Sequence, residues 1–410
     1  MIRIKKRRAN DLLSYLAIFV AFLCATNGEL ANTKNNVVYY LPFVICLGAL
    51  GLELSLRKRI VLSSYMLWRI VLTIFFLIAY LYAVNVSLAF VAIKKLILQS
   101  IALILIGLKC NENADNIPRF IKLAVIAIFA NLLYVAATVD MTMLEEGIRL
   151  GVTSVNEAWN ANQIGLMASM GAAMVYYTFF IKESGSAIIS KVLGVALTVF
   201  FLVFVVLSGS RKSLIIVFVT LMLYLLGSSK SHRIRSLLIA VVCACGIIYA
   251  LFNTPFLYEY IGYRFEGLRE ALSGEGGDHS SHIRRGMIEI GMRAFAERPL
   301  FGYGLNGFAH VYNSMAGTSV YSHNNYVELL VNTGLVGFLL YYGYIATILF
   351  KRCAMNKETV LYKAMLIALL VAEIGLVSYT SSFCQYILCL IVCGILKNPF
   401  ASPEKTAVQQ

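Results

Sequence analysis

Charge is what this sequence has least of. Only 14% of its 410 residues are charged and 60% are hydrophobic, whereas about a quarter of a water-soluble domain is charged. That balance excludes a soluble globular fold and is expected of a chain dissolved mainly in lipid. Cysteine is missing from the one long polar segment, 256–323. Cys24, Cys46, Cys243, Cys245, Cys384, Cys389 and Cys393 lie in apolar runs, and Cys110 and Cys353 lie beside basic ones. No disulfide framework or zinc site is therefore implied. The basic start, Arg3 to Arg8, leads into an apolar run from Leu12 that lacks a small-residue cleavage site, so the first run is expected to be an uncleaved span. Leu23 ahead of Cys24 speaks against lipidation. The net charge of +14 is dispersed as short clusters between apolar runs, the pattern of topology signals and not of nucleic-acid binding.

What is there is a succession of apolar stretches long enough to cross about 30 Å of hydrocarbon. They fall near 12–29, 37–56, 61–84, 88–108, 120–139, 163–181, 192–208, 213–228, 236–255, 325–350, 362–380 and 383–397. The expected fold is a single multi-pass, all-α membrane domain over 1–410 with about twelve transmembrane helices. The 256–323 segment forms a long outer loop with short helices, inserted between spans nine and ten. Lys94 and Lys95 are read as snorkelling from the interfacial start of the fourth span.

Lysine and arginine concentrate on the cytoplasmic side of membrane proteins. With the N-terminus inside, the inside segments receive Arg57-Lys58-Arg59, Lys109, Arg119, Lys182, Lys230, Lys351, Arg352 and Lys397, and both termini are cytoplasmic. The outer loops before the long segment hold little beyond Lys34, Arg149, Arg211 and Lys212. Trp159-Asn160-Ala161-Asn162, Ser208-Gly209-Ser210-Arg211 and 256–323 then emerge on one outer face.

The long segment holds Arg264, Arg269, Arg284, Arg285, Arg293 and Arg298 and no lysine. Arginine alone suits bidentate gripping of phosphate or carboxylate. From Ser281 to Glu297, Ile283, Met287, Ile290 and Phe295 recur at helical spacing, and Pro299 with the following glycines ends that helix. Gly302-Tyr303-Gly304-Leu305-Asn306-Gly307 matches a dinucleotide fingerprint but follows a helix instead of a strand, so it fails the context test. A tight loop returning the segment to the membrane fits better, with a backbone anion cradle as the alternative. Arg211, among small residues at a span junction, reads as an anion clamp against the plainer interfacial anchor. His323, beside Asn324 and Asn325 at the mouth of the next span, is a candidate base against an ordinary interfacial histidine. Glu275, Asp278, His279 and His282 have donor atoms for a metal, but their glycine-rich surroundings read as a solvated loop tip, and no metal or other cofactor is expected. Arg69 and Glu373 are intramembrane charges whose pairing is open.

The arrangement resembles the O-antigen ligase and polymerase superfamily, membrane enzymes that polymerise or transfer lipid-linked bacterial polysaccharide. The resemblance is carried by Asn160-Ala161-Asn162, Ser208-Gly209-Ser210-Arg211, Arg298-Pro299-Leu300-Phe301-Gly302-Tyr303-Gly304, His323-Asn324 and Gly334-Leu335-Val336-Gly337. It covers roughly 155–345; the first 150 residues match only in hydrophobicity. It implies a GT-C-type architecture and an inverting transfer from an undecaprenyl-diphosphate-linked oligosaccharide, without nucleotide or metal, on the outer face of the bacterial inner membrane. Carried over residue by residue, the histidine base falls on His323 and the diphosphate-binding arginines on Arg211 and Arg284, with Arg285 an immediate rival. The aromatic residue often found a turn later is Ile288 here, which leaves the choice between Arg284 and Arg285 open. Asn162, Asn324, Ser210 and Arg298 are further candidate substrate-binding residues.

These readings favour a polymerase of O-antigen or capsule type, joining one lipid-linked repeat unit to another. The alternatives are a ligase transferring the glycan to a lipid A core, and a transporter or flippase whose outer arginines only recruit an anionic lipid. The implied partners are the lipid-linked oligosaccharide, membrane lipid and a chain-length regulator protein, and no nucleic acid.

Overall fold

A computed structural model describes residues 2–27, 36–57, 60–138, 150, 160–183, 187–228, 233–273 and 279–398. Trp159 and the Glu275–Asp278 tip lie outside the described residues. Among the described residues the secondary structure is helical, with no strand. The helices are α1 (Ile2–Thr26), α2 (Asn36–Leu56), α3 (Ser64–Leu81), α4 (Val86–Glu112), α5 (Asn116–Thr138) and α6 (Ala161–Tyr176), which runs on as a π turn over Tyr177–Lys182. Next come α7 (Ile188–Leu207), α8 (Arg211–Ser228), α9 (Arg233–Asn253), α10 (Tyr263–Ser273), α11 (His279–Glu297) and α12 (Gly307–Ala316). The last are α13 (Asn325–Leu349), α14 (Lys357–Ala372) and α15 (Ser382–Leu396). A helix occupies each apolar stretch of the sequence. Six of them, α3 to α7 and α13, with α6 counted through its π turn, are long and apolar enough to cross a membrane. Short polar side chains start six of the helices, α3, α4, α6, α13, α14 and α15: Ser63, Asn85, Asn160, Asn324, Asn356 and Ser381 each cap a first turn with a side-chain oxygen.

Two boundaries differ from the sequence reading, for physical reasons. The helix expected over 362–380 stops at Ala372, and irregular backbone from Glu373 to Ser381 follows. Such backbone is tolerated at membrane depth where protein or a polar cavity satisfies it; here Asn325 Oδ1 accepts the amides of Ser378 (2.9 Å) and Tyr379 (3.1 Å). The second difference is that the helix expected to begin near Lys94 and Lys95 starts earlier, at Val86. These lysines lie inside the continuous α4, facing a cavity described below.

Packing between the helices is close where residues are small. A Cβ on Gly165 of α6 would strike the hydroxyls of Ser208 and Ser213, so α6 and the α7–α8 elbow approach at backbone distance. Arg69 and Glu373 are both buried and do not pair directly. Arg69 donates to Ser100 Oγ (3.0 Å), Gln385 Oε1 (3.2 Å) and Gln99 Oε1 (3.3 Å). Gln385 donates to Tyr341 Oη (2.8 Å), which meets Ser378 Oγ at 3.4 Å, and Ser378 in turn donates to Glu373. The two charges therefore belong to one polar chain. At the far end of the bundle Lys109 bonds Asp11, Glu53 (2.8 Å) and Glu112 (3.0 Å), and Arg57 bonds Glu53 (2.9 Å) and Glu112 (2.7 Å). Two cations thus bridge the three carboxylates that cluster there.

The polar segment sits over the other end with a small core of its own: Met287, Ala294, Phe308, Val311, Val327 and Val331. Ile290 and Phe295 pack against it, whereas Ile283, one turn earlier than the cluster reaches, is 40% exposed. This roof is fastened by exchanged backbone hydrogen bonds. Gly334 breaks α13 with φ 63° and ψ −167°. The break frees the Val331 carbonyl to accept from Tyr303 N (2.8 Å), while Leu335 N and Val336 N donate to the carbonyls of Pro299 (2.8 Å) and Leu300 (3.2 Å). Gly302 and Gly304 also have positive φ, 69° and 83°. A Cβ on Gly302 would strike Val331 O, one on Gly304 would strike Ala83, and one on Gly334 would strike Leu300 O. The amides of Gly302, Tyr303, Leu305 and Gly307 all have backbone acceptors. The glycine-rich stretch is therefore a docking loop, with these four amides taken by the backbone.

Gly334→Ala should lower stability by about 1–3 kcal/mol, seen as a fall of several degrees in the melting temperature in detergent. Gly343→Ala, on the same helix with nothing within 4 Å of the added carbon, should be neutral.

Candidate active site

A cavity of about 690 Å³ opens beneath the roof. Its walls come from the last two turns of α1, the second turn of α2, the second and third turns of α4, the first two turns of α6, Lys212 at the start of α8, the mouth of α13, and the irregular stretch before α15 with the first turns of that helix. Consecutive membrane helices alternate in direction, so ends meeting in this way lie on one side of the bundle. The lining combines the cations Lys94, Lys95 and Lys212, the amides of Asn160, Asn162, Gln163 and Asn306, and the rings of Tyr40, Phe43, Tyr321, Tyr379 and Tyr386.

His323 is the best-defined group of this chamber. Its φ is 56°, a left-handed conformation that a side chain adopts only where its surroundings fix it. The fixing contacts are visible. Ser322 Oγ donates to the Asn324 carbonyl (2.7 Å), Ser322 N donates to Glu328 Oε2 (2.7 Å), and Asn324 Oδ1 caps α13 through Tyr326 N (3.0 Å) and Val327 N (3.1 Å). Glu328 is buried, and its other oxygen accepts from Asn332 Nδ2 at 3.3 Å. Asn332 Oδ1 in turn receives the Phe308 amide of the roof at 2.7 Å. The Tyr321 ring lies 4.1 Å from the imidazole, centroid to centroid. Burial, then the Arg284 guanidinium and the Lys212 ammonium, push His323 down to about 4. The imidazole is therefore neutral at neutral pH and able to take a proton.

The arginines divide. Arg284 acts electrostatically on both Tyr321 and His323. Arg285 points away: its side chain is 73% exposed and paired with Glu289 at 3.3 Å. Arg298 is exposed and lies over the Tyr303 ring at 4.6 Å. Arg211 Nη1 donates to the Arg264 carbonyl (2.6 Å) while Arg264 Nη1 donates to the Gly209 carbonyl (2.9 Å), a reciprocal clasp between the span-junction elbow and the roof. Ser210 is buried at that elbow and does not line the cavity. The structure thus brings together His323, Arg284 and Asn162, with Asn324 holding the turn. It sets Arg285, Arg298 and Ser210 apart from them.

Sequence reasoning missed Lys212, Lys94, Lys95, Tyr321 and Glu328. Lys212 had been grouped with topology charges; its ammonium bonds the Gly375 carbonyl at the cavity wall. The available signal was the depth of Lys94 and Lys95, more than two turns inside an apolar span.

Fold and cavity define an all-helical membrane protein with a cationic, amide-lined chamber at one end of its bundle. Residues 196–342 match the family model described as O-antigen ligase, and this match supports the O-antigen ligase/polymerase superfamily for the chain. It thereby suggests a polysaccharide-related enzyme of the bacterial inner membrane acting on lipid-linked oligosaccharide. None of the curated proteins compared with the chain matches it. The matched stretch contains the elbow, the roof arginines, the docking loop and His323, whereas Asn160–Asn162 and the α4 lysines lie before it.

Removing Arg284 should raise the histidine's pKa from about 4 part of the way toward the ordinary 6.5, because burial remains. Titration of the His323 resonance in Arg284→Ala, with Arg285→Ala unshifted as control, checks this.

Proposed function

We propose that the protein is a polysaccharide polymerase of GT-C type, crossing the membrane about twelve times with both termini cytoplasmic. The chamber opens on the periplasmic or extracellular face, and the 256–323 segment serves as its roof. The donor is an undecaprenyl-diphosphate-linked glycan and the acceptor a second lipid-linked repeat unit. The observation that carries this reading is the neutral His323, held in a fixed turn at a chamber lined by cations and amides. Cations suit a diphosphate, while amides and aromatic rings suit sugar hydroxyls and faces.

In the proposed step the acceptor hydroxyl oxygen attacks the donor's anomeric carbon as the bond from that carbon to the diphosphate oxygen breaks. The hydroxyl proton passes to the His323 imidazole, and the electron pair leaves with the diphosphate. Arg284 and Lys212 stabilise the charge developing on the leaving group. A bound diphosphate also raises the basicity of His323 by offsetting those two cations, so the base strengthens when substrate is in place. Arg211, in its clasp with Arg264, is assigned to holding the roof. Displacement in one step inverts the anomeric configuration.

Purified protein given synthetic lipid-diphosphate repeat units and no nucleotide should form a ladder of longer lipid-linked glycans. His323→Ala should reduce the rate by roughly 10²–10⁴-fold. Units that stay single until a lipid A core is supplied would show a ligase, and no product with either acceptor would refute transfer. Because the base form exists above a pKa of about 4, kcat/KM should hold down through pH 6.5 and fall only nearer pH 4. An acid limb centred at 6.5 would remove His323 as the base.

A further inference from the structure

We infer that Asn306 reads the acceptor sugar: its side-chain oxygen accepts a hydrogen bond from a hydroxyl next to the one that attacks, and so helps to set which glycan is extended. The inference rests on the transferase reading above and deepens it, naming a specificity-determining residue and the chemistry that it selects.

Backbone strain singles the residue out. Among the described residues only two other than glycine have positive φ, Asn306 at 54° and His323 at 56°, and both line the chamber. Such conformations cost free energy and collect at functional sites. Asparagine also enters this region as an ordinary turn residue, so what its side chain does separates a turn from a site.

The turn does not use the side chain. Asn306 occupies the N-cap position of α12, where an asparagine oxygen ordinarily accepts the amide two or three residues on. It makes no such bond. The Phe308 amide goes instead to Asn332 Oδ1 at 2.7 Å, so the cap is supplied from α13. The Asn306 carboxamide turns toward α4, where Nδ2 donates to the Leu88 carbonyl at 2.9 Å. A carbonyl partner fixes which end of the carboxamide is the nitrogen. The other end, Oδ1, accepts from no described group and keeps accessible surface.

The same bridge that caps α12 reaches the proposed base. From the Phe308 amide it runs through Asn332, whose Nδ2 donates to Glu328 Oε1 at 3.3 Å. Glu328 Oε2 then accepts the amide of Ser322, the residue before His323, at 2.7 Å. Both strained residues are therefore held against the first half of α13 by two buried side chains.

A carboxamide oxygen accepts and cannot donate, so its ligand is a hydrogen-bond donor. Ionised phosphates offer only acceptors. An ammonium is disfavoured in a chamber lined by Lys94, Lys95 and Lys212. A neutral donor remains, and on a sugar beside the proposed base that donor is a hydroxyl neighbouring the one that gives up its proton.

The test sets wild type beside Asn306→Gly, as full chains in lipid discs. Glycine takes a positive φ without strain, so the variant should fold and melt close to wild type. Each protein is given lipid-diphosphate repeat units whose accepting sugar lacks, one at a time, a hydroxyl other than the attacking one. Wild type should lose about tenfold in kcat/KM with one of these monodeoxy units. Asn306→Gly should lose about tenfold with the intact unit and nothing further with that monodeoxy unit, because the two changes remove one contact. Losses that multiply for every unit would make the residue structural and overturn the inference, as would a wild type indifferent to each hydroxyl. Coupling to a hydroxyl of a deoxygenated donor instead would place the contact on the donor sugar and overturn the acceptor assignment. If neither protein lengthens a glycan, the transferase reading fails on its own account, and calorimetric titration of the same units tests Asn306 separately. Wild type should then bind the intact unit about tenfold more tightly than one monodeoxy unit, with Asn306→Gly binding both alike; equal affinities in wild type would overturn the inference.

Discussion

The structure depends on one exchange of backbone hydrogen bonds. Where Gly334 interrupts α13, a carbonyl and two amides that a straight helix would have satisfied internally are offered sideways, and the Pro299–Tyr303 loop takes all three. Buried backbone groups must be paired, so the break and the loop require each other. That constraint sets the position of the roof, and through Phe308 and Asn332 it sets the position of the turn that carries His323. The motifs Arg298–Gly304 and Gly334–Gly337, separate in sequence, are two halves of one joint.

The second organising feature is the contrast between the ends of the bundle. Far from the cavity, Lys109 and Arg57 are matched by Asp11, Glu53 and Glu112. At the cavity, Lys94, Lys95 and Lys212 share the lining with Glu328, the one carboxylate among the described lining residues, whose oxygens are engaged by Ser322 and Asn332. Charges of one sign held together in a poorly solvated chamber raise the potential there and favour an anionic ligand. The low pKa of His323 reports burial first, and after it the Arg284 and Lys212 charges.

Much of this was legible in the sequence. Apolar run length located a helix for every predicted span, and Met287, Ile290 and Phe295 gave the buried stripe of α11 before its partners were known. The motif order pointed to the same superfamily as the family match. What the sequence could not show depended on the third dimension. Arg284 and Arg285 differ by one position, about 100° around a helix, and only packing on α13 decides which one faces the histidine. Lys94 and Lys95 look like snorkelling lysines until α1, α2 and α15 enclose a cavity beside them. Arg211 reads as a ligand-binding cation, and only the fold shows that it also holds a carbonyl partner, Arg264, fifty-three residues away. The end of α14 at Ala372 was hidden because the irregular stretch after it is as apolar as the helix, its backbone being satisfied by Asn325 from another element.

The half of α13 before the break is held on two sides, by the roof through Val331 and Asn332 and by the 373–379 stretch through Asn325. His323 stands at the start of that half-helix. Its turn is thus set by contacts within the fold. Asn325 and Asn332, neither of which lines the chamber, therefore fix the place of the proposed base from outside, so the chamber's walls can change without disturbing that turn.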